Sequence, residues 1–302
     1  MAWLLELCLL FFFAFLFVKP HHQCTIWLYI DFFWTTMMTK LATIFVLLAL
    51  SGFVTLKAQT TSEEIAKYRE MLADANPAEL FEGAGEELWV KPMGPNSKSL
   101  QSCDLGLGAG VVDGAFAQLP RYFKDTQRVQ DLESRLVTCM QVIQGIDVKD
   151  IMADDFGKGH KKNIEAIVAY VVTHSKGMKI NPPMKHPAEK IFYKMGEQAF
   201  YFRAGPMDFS CATCHGVKGQ RIRLQDLPLI ASNEGAALAW GTWPAYRVSS
   251  GEFWTMQHRL ADCYRQQRFP SPQYTSDVTI ALSMFMAAKA KGGVVQTPGL
   301  KR

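Results

Sequence analysis

The chain has 302 residues, enough for two modest domains, of which 49% are hydrophobic and 20% charged, with a formal net charge of +4. So small a charge excludes an electrostatic case for nucleic acid as a partner. The composition is that of a globular protein behind an apolar leader.

Residues 3–18 are almost wholly apolar, but no Lys or Arg precedes them and Glu6 interrupts them. A second apolar run, Leu41 to Leu56, follows Lys40 and has the form of a secretory signal, with a cut expected after Ala58. Residues 1–58 therefore read as a leader, with translation starting at Met37 or Met38 and residues 1–36 a misassigned start. A membrane anchor in residues 3–18 is the alternative. Nothing after Ala58 is apolar for long enough to span a bilayer. The mature protein is expected in the periplasm after signal cleavage, where unpaired thiols are a liability.

The remainder reads as two domains, 59–180 and 181–302. A polar helix is predicted from Ser62 to Ala75, then a loop through Gly83, Gly85, Pro92, Gly94 and Pro95. Apolar residues at helical spacing predict helices over 128–144 and 163–174. Gly177 to Pro187 reads as a linker. A helix over 187–202, with Pro in its first turn, leads towards Cys211. Residues 216–250 read as irregular loop, followed by helices over 252–266 and 276–289, the last stopped by Gly292-Gly293. No series of strands is visible, so the fold class expected is mainly α.

Cys211-Ala212-Thr213-Cys214-His215 is a Cys-x-x-Cys-His motif. Two thiols at this spacing reach the two vinyl groups of one porphyrin, and the adjacent imidazole turns back onto the iron. A thioredoxin-like pair would need a βαβ context, and zinc would need two more ligands at short spacing; the sequence offers neither. One covalently attached haem c is expected. Opposite His215 the iron can take Met, His or thiolate. Cys263 is the first candidate and Met256, on the same helix, the second; Met284 and Met286 read as core. Arg259 precedes Cys263 by one helical turn. It could hold an oxyanion beside the thiol, or serve the surface or a haem propionate. Cys103 and Cys139 remain. In an oxidising compartment the natural partner of each is the other, and two buried free thiols are the alternative.

A short repeat links the two domains. Glu133 to Cys139 resembles Gln257 to Cys263, both containing Arg-Leu-x-x-Cys, and each has a cysteine upstream. Cys103 is matched here to Cys211, which sets Gly106 and Leu107 where Cys214 and His215 stand. The chain thus reads as a duplicated cytochrome whose first copy has lost its haem.

Together these segments resemble the SoxA family. The resemblance is carried by Cys211 to Gly216, by the run His258 to Pro270 and by the terminal Pro298 to Arg302. Cys103 to Gly106, Leu119 to Phe123 and Asp131 to Glu133 add to it. It spans about residues 60–302. It implies two cytochrome c-like domains, the first without haem and the second with one haem c. Cys211, Cys214, His215 and Cys263 would bind that haem, with His215 and Cys263 on the iron. Cys263 would also be the persulfide-bearing catalytic cysteine and Arg259 the substrate-binding residue. Lacking a haem site in its first domain, the chain is similar to the single-haem branch, for which a Cys103–Cys139 disulfide is implied. The implied reaction couples thiosulfate to a cysteine of the carrier SoxYZ, giving an S-thiosulfonate, with electrons passing through haem to a c-type cytochrome acceptor. SoxX is the implied heterodimer partner. The competing reading is a non-catalytic periplasmic electron-transfer cytochrome c.

Overall fold

The structure, a computed structural model, describes residues 61–71, 76–222 and 225–301, with Trp34, Met37, Met38 and Lys40. Apart from Met37, Met38 and Lys40, the leader reading rests on residues outside this set, Cys8 and Cys24 included. The chain divides into two units, Met1–Gln59 and Thr60–Arg302, and every element below belongs to the second. Among the described residues no helix is long and apolar enough to cross a membrane.

The first half holds α1 (Thr61–Met71), α2 (Ala78–Val90), a hairpin of β1 (Arg121–Phe123) and β2 (Arg128–Gln130), α3 (Leu132–Cys139), α4 (Val148–Ala153) and α5 (Gly159–Thr173). The second holds α6 (Pro187–Tyr201), α7 (Cys211–His215), the hairpin β3 (Arg221–Ile222) and β4 (Gln225–Asp226), and α8 (Asn233–Gly241). Then come β5 (Ala245–Arg247), β6 (Glu252–Trp254), α9 (Met256–Gln266), α10 (Asp277–Lys289) and β7 (Gly299–Lys301). Strand β5 pairs antiparallel with β6 and parallel with β7.

The mainly helical fold expected from the sequence is present, with three differences. Gly83 and Gly85 lie inside helix α2 rather than a loop. A Cβ on Gly85 would stand 2.0 Å from the Ala166 carbonyl oxygen of α5, so glycine is there to let two helices touch. Strands replace the starts of two predicted helices, because Asp131 and Thr255 cap α3 and α9 and so fix where each helix begins. Within the expected loop 216–250, Ser232 caps the Ala-rich helix α8. That helix is too short to show a periodic pattern.

The duplication is visible in the backbone. Gly196 on α6 meets Ala281 of α10 as Gly85 meets Ala166: its Cβ would lie 1.9 Å from the carbonyl oxygen. Gly94 and Gly205 carry φ of 70° and 73°, and Ser97 and Asp208 carry 49° and 48°. The bridge Met93–Lys98 matches Ala204–Phe209, and Ser99 and Ser210 each precede a helical turn. Ala166 and Ala281 are 115 residues apart, while from Gly85 and Gly196 to Ser99 and Ser210 the matched positions are 111 apart. The same offset sets Cys103 against Cys214, Leu100 against Cys211 and Asp104 against His215. This corrects the sequence register: the first half lacks its haem motif at Leu100 and Asp104, not at Gly106 and Leu107.

The halves meet across an approximate twofold axis. Gly177 N donates to Val295 O (2.8 Å) while Gly292 N donates to Ile180 O (2.8 Å). Ile180 N donates to Gly293 O as Val295 N donates to Met178 O. Phe116 and Trp240 stack with centroids 5.7 Å apart. The Gly177–Pro187 stretch is therefore tied down at its start by hydrogen bonds to residues 292–295. These contacts bury one continuous core that draws on both halves.

Candidate functional site

Ser210 starts the site. Its hydroxyl accepts from Thr213 N (3.2 Å) and Thr213 Oγ1 accepts from Ser210 N (3.0 Å), which closes a capping box on the short helix α7. That helix carries Cys211 and Cys214 one turn apart and ends on His215. His215 Nδ1 lies 2.9 Å from the carbonyl oxygen of Pro228. Burial lowers the imidazole's proton affinity, the Pro228 carbonyl raises it and the charge of Arg259 lowers it again, with a net depression. The neutral ring carries its proton on Nδ1, donates it to Pro228 and presents the Nε2 lone pair.

Helix α9 supplies the other groups. Thr255 Oγ1 caps it by accepting from His258 N (3.2 Å). Arg259 and Cys263 then stand on successive turns. Cys211, Cys214 and Cys263 are free thiols, all partly buried, and Cys263 interacts electrostatically with both of the others. Burial pushes the Cys263 thiol up; Arg259 and Arg247 pull it back, while Asp262 and Cys214 push it further. Burial, followed by Cys263, pushes Cys211 up to about 12.

These residues fit a haem c. Two sulfurs one helical turn apart match thioether attachment, and a thioether carries no charge for burial to oppose. An imidazole of fixed tautomer and a third soft sulfur complete a donor set for iron. Met256 is placed elsewhere: it is 7% exposed and lines an interior cavity with Phe116, Leu119, Trp240 and Pro244. Met284 and Met286 are core residues, as expected. His258 stacks between Phe156 and Trp254, with centroids 4.2 and 4.1 Å away.

Arg259 is held from two sides. Its Nη1 donates to Asp262 Oδ2 (2.9 Å), and its guanidinium carbon lies 5.7 Å from the Trp243 ring centroid. Asp262 also accepts from Arg265 and Gln266. Burial opposes its ionisation, but the hydrogen bonds from Arg265 and Gln266 and the charges of Arg259 and Arg265 outweigh it and hold the carboxyl below its usual range. Asp262 was legible in principle, since it stands at helical i,i+3 spacing from both arginines. Arg247 and Pro228 were not, because each reaches the site from a separate segment. In the first half, the disulfide Cys103–Cys139 is formed, with Cα atoms 5.6 Å apart.

Known proteins resemble the chain as a whole. Residues 84–180 match the SoxA/TsdA cytochrome c domain family. The chain is 57% identical over 238 residues to the L-cysteine S-thiosulfotransferase subunit SoxA of Hydrogenophilus thermoluteolus, covering 79% of this chain and 87% of that protein. It is 39% identical over 274 residues to a SoxA subunit of Hydrogenobacter thermophilus, covering 88% of this chain and 100% of the relative. The crystal structure of SoxXA from P. pantotrophus superposes with a TM-score of 0.65 at 24% identity, covering 78% of this chain and 84% of that chain. At that identity it speaks for the fold.

Proposed function

The chain belongs to the SoxA family, and from that premise we propose that it is a haem-dependent L-cysteine S-thiosulfotransferase. The observation that carries this reading is the convergence on helix α7 of a third thiol, Cys263, with Arg259 one turn before it. A plain electron carrier has no use for a second reactive sulfur beside a guanidinium, and Met256, the alternative ligand, faces the core.

Cys211 and Cys214 would hold one haem c by thioether bonds, with His215 and Cys263 as the iron ligands. The reaction joins the outer sulfur of thiosulfate to a carrier thiol as a new S–S bond, with loss of one proton and two electrons. When bound, the haem would supply a one-electron acceptor, so that the two electrons would leave one after the other towards a c-type cytochrome. The chain's residues do the rest. Arg259, steadied by Asp262 and Trp243, offers its planar donors to the sulfonate oxygens, and the charge of Arg247 adds to the attraction. With the dianion held there, its outer sulfur faces Cys263, which would bear an additional sulfur as a persulfide. The carrier SoxYZ, the partner SoxX and a periplasmic location reached through the leader belong to the same reading.

The test is Cys263→Met. Turnover of thiosulfate with the carrier should vanish, the low-spin thiolate signal in electron paramagnetic resonance should give way to a His/Met type, and the reduction potential should rise. An unchanged spectrum would remove Cys263 from the iron, and normal turnover would remove it from the reaction.

A further inference from the structure

Helix α9 carries both Arg259 and Cys263, yet its first turn is held largely by the half that has no haem motif. A helix start leaves backbone N–H groups without partners. Thr255 satisfies the one on His258. The N–H of Gln257 is taken by Glu133 of α3, whose Oε2 accepts it at 3.0 Å. The other oxygen, Oε1, accepts from Thr255 Oγ1 (2.7 Å) and from Tyr274 OH (3.1 Å), which lies on the segment after α9. Glu133 is 3% exposed.

The arrangement follows from the duplication. Glu133 and Gln257 are equivalent positions, as are Asp131 and Thr255. Glu133 reaches the cap of α9, and Gln257 Nε2 reaches back to Asp131 Oδ2, the cap of α3, at 2.6 Å. On the opposite side of the turn, Glu165 of α5 lies 3.3 Å from His258 Nδ1, and Phe156 stacks on the same ring. Apolar side chains would fill this joint without the cost of burying two carboxyls beside each other. What a carboxyl gives instead is directed bonds to three donors on α9 and the segment after it.

We propose that the haem-less half serves the reaction through Glu133, a positioning residue that fixes the first turn of α9 and thereby the stations of Arg259 and Cys263. The proposal rests on the reading above that those two residues act on thiosulfate. It asks more than that the joint be stable: loosening it should move chemistry one and two turns away.

The experiment compares purified haem-loaded wild type, Glu133→Ala, Glu133→Gln and Ile151→Ala, the last a truncation elsewhere in the core of the same half. Amide exchange over residues 257–260, the ferric haem resonance and the thiosulfate KM are read for each. Glu133→Ala should raise exchange there by roughly tenfold or more, the scale of one or two lost hydrogen bonds. Its ferric signal should split or broaden and KM should rise several-fold. Glu133→Gln, which keeps an acceptor for Gln257 N and can donate to the Thr255 and Tyr274 hydroxyls once these turn to accept, should restore all three. Ile151→Ala should lower the melting temperature without these changes. The proposal is overturned if Glu133→Ala leaves exchange and signal at wild-type values, or if Ile151→Ala reproduces them. If Glu133→Ala does not accumulate, Glu133→Asp, one methylene short of Gln257, is judged by the same readings. A wild-type resonance without thiolate character would sink the Cys263 reading, and the exchange data would still decide the role of Glu133.

Discussion

Arg135 and Arg259 occupy equivalent places, each four residues before a cysteine on a helix that follows a hairpin. Their fates differ. The Arg135 side chain is 5% exposed: Nε donates to the Asp104 carbonyl (2.6 Å), Nη1 donates to Asp125 (2.8 Å) and the guanidinium lies 4.1 Å over Phe123. Arg259 is 24% exposed and rests on Asp262 and Trp243 at the rim of the sulfur site. The cysteines diverge in parallel. Cys103 and Cys139 are bonded to each other, whereas their counterparts Cys214 and Cys263 form no disulfide. The offset between equivalent positions grows from 111 before the motif to 124 after it, so the second half has room for a loop around His215 that the first half lacks. One scaffold thus supports two solutions: a half closed by a covalent staple and a buried guanidinium, and a half left open for a cofactor and an anion.

Removing the staple should give the largest change. Cys103→Ser with Cys139→Ser opens a loop of 36 residues and should cost roughly 3–4 kcal/mol of stability. Denaturant unfolding measures this, and the haem spectrum should not move; a shifted spectrum would mean that the staple, and not Glu133 alone, holds the haem site in place. The arginines come next. Arg259→Ala should cost roughly 10²-fold in turnover with little loss of stability, the scale for one charge-stabilising donor. Arg135→Ala should do the reverse, losing about 2–3 kcal/mol of stability because the buried guanidinium's packing on Phe123 and its hydrogen bonds to the Asp104 carbonyl and Gln130 are lost. Measuring kcat/KM and unfolding on both variants tests the pair. Equal losses of activity would break the distinction between structural and functional arginine.

Much of this contrast was legible in the sequence. Cys211, Cys214 and His215 declare themselves because haem attachment fixes both residue type and spacing, and Arg259 and Cys263 stand a helical turn apart. The Arg-Leu-x-x-Cys repeat exposed the duplication. The register of the lost motif was misread, since a single cysteine gives no direction; only the backbone turns at Gly94 and Gly205 set Cys103 against Cys214. Helix α2 was hidden by Gly85, which is chosen for a close helix crossing rather than for helix propensity. Arg247, Pro228 and Glu133 act across chain separations that no local pattern spans.

The last comparison concerns the joint itself, where the two halves differ by Glu133 in one and Gln257 in the other. Burial, then the negative charge of Asp131, push the Glu133 carboxyl up to about 8 despite the hydrogen bonds from Gln257, Thr255 and Tyr274. An unfolded chain releases that proton near 4.5. Between these values the folded protein keeps a proton that the unfolded chain has lost, so stability falls as pH rises through the window. Glu165, also raised by burial, contributes with the same sign. The other ionisable groups at the joint, Asp131, Lys161, His258 and Tyr274, are common to wild type and to Glu133→Gln. The difference between the two proteins therefore isolates Glu133. Across about pH 5 to 8 the wild type should lose stability more steeply than Glu133→Gln, measured as denaturant midpoints at constant ionic strength. Parallel profiles would mean that Glu133 ionises as an ordinary carboxylate, and that the joint holds α9 with a charge rather than with a neutral carboxyl shaped like the glutamine opposite.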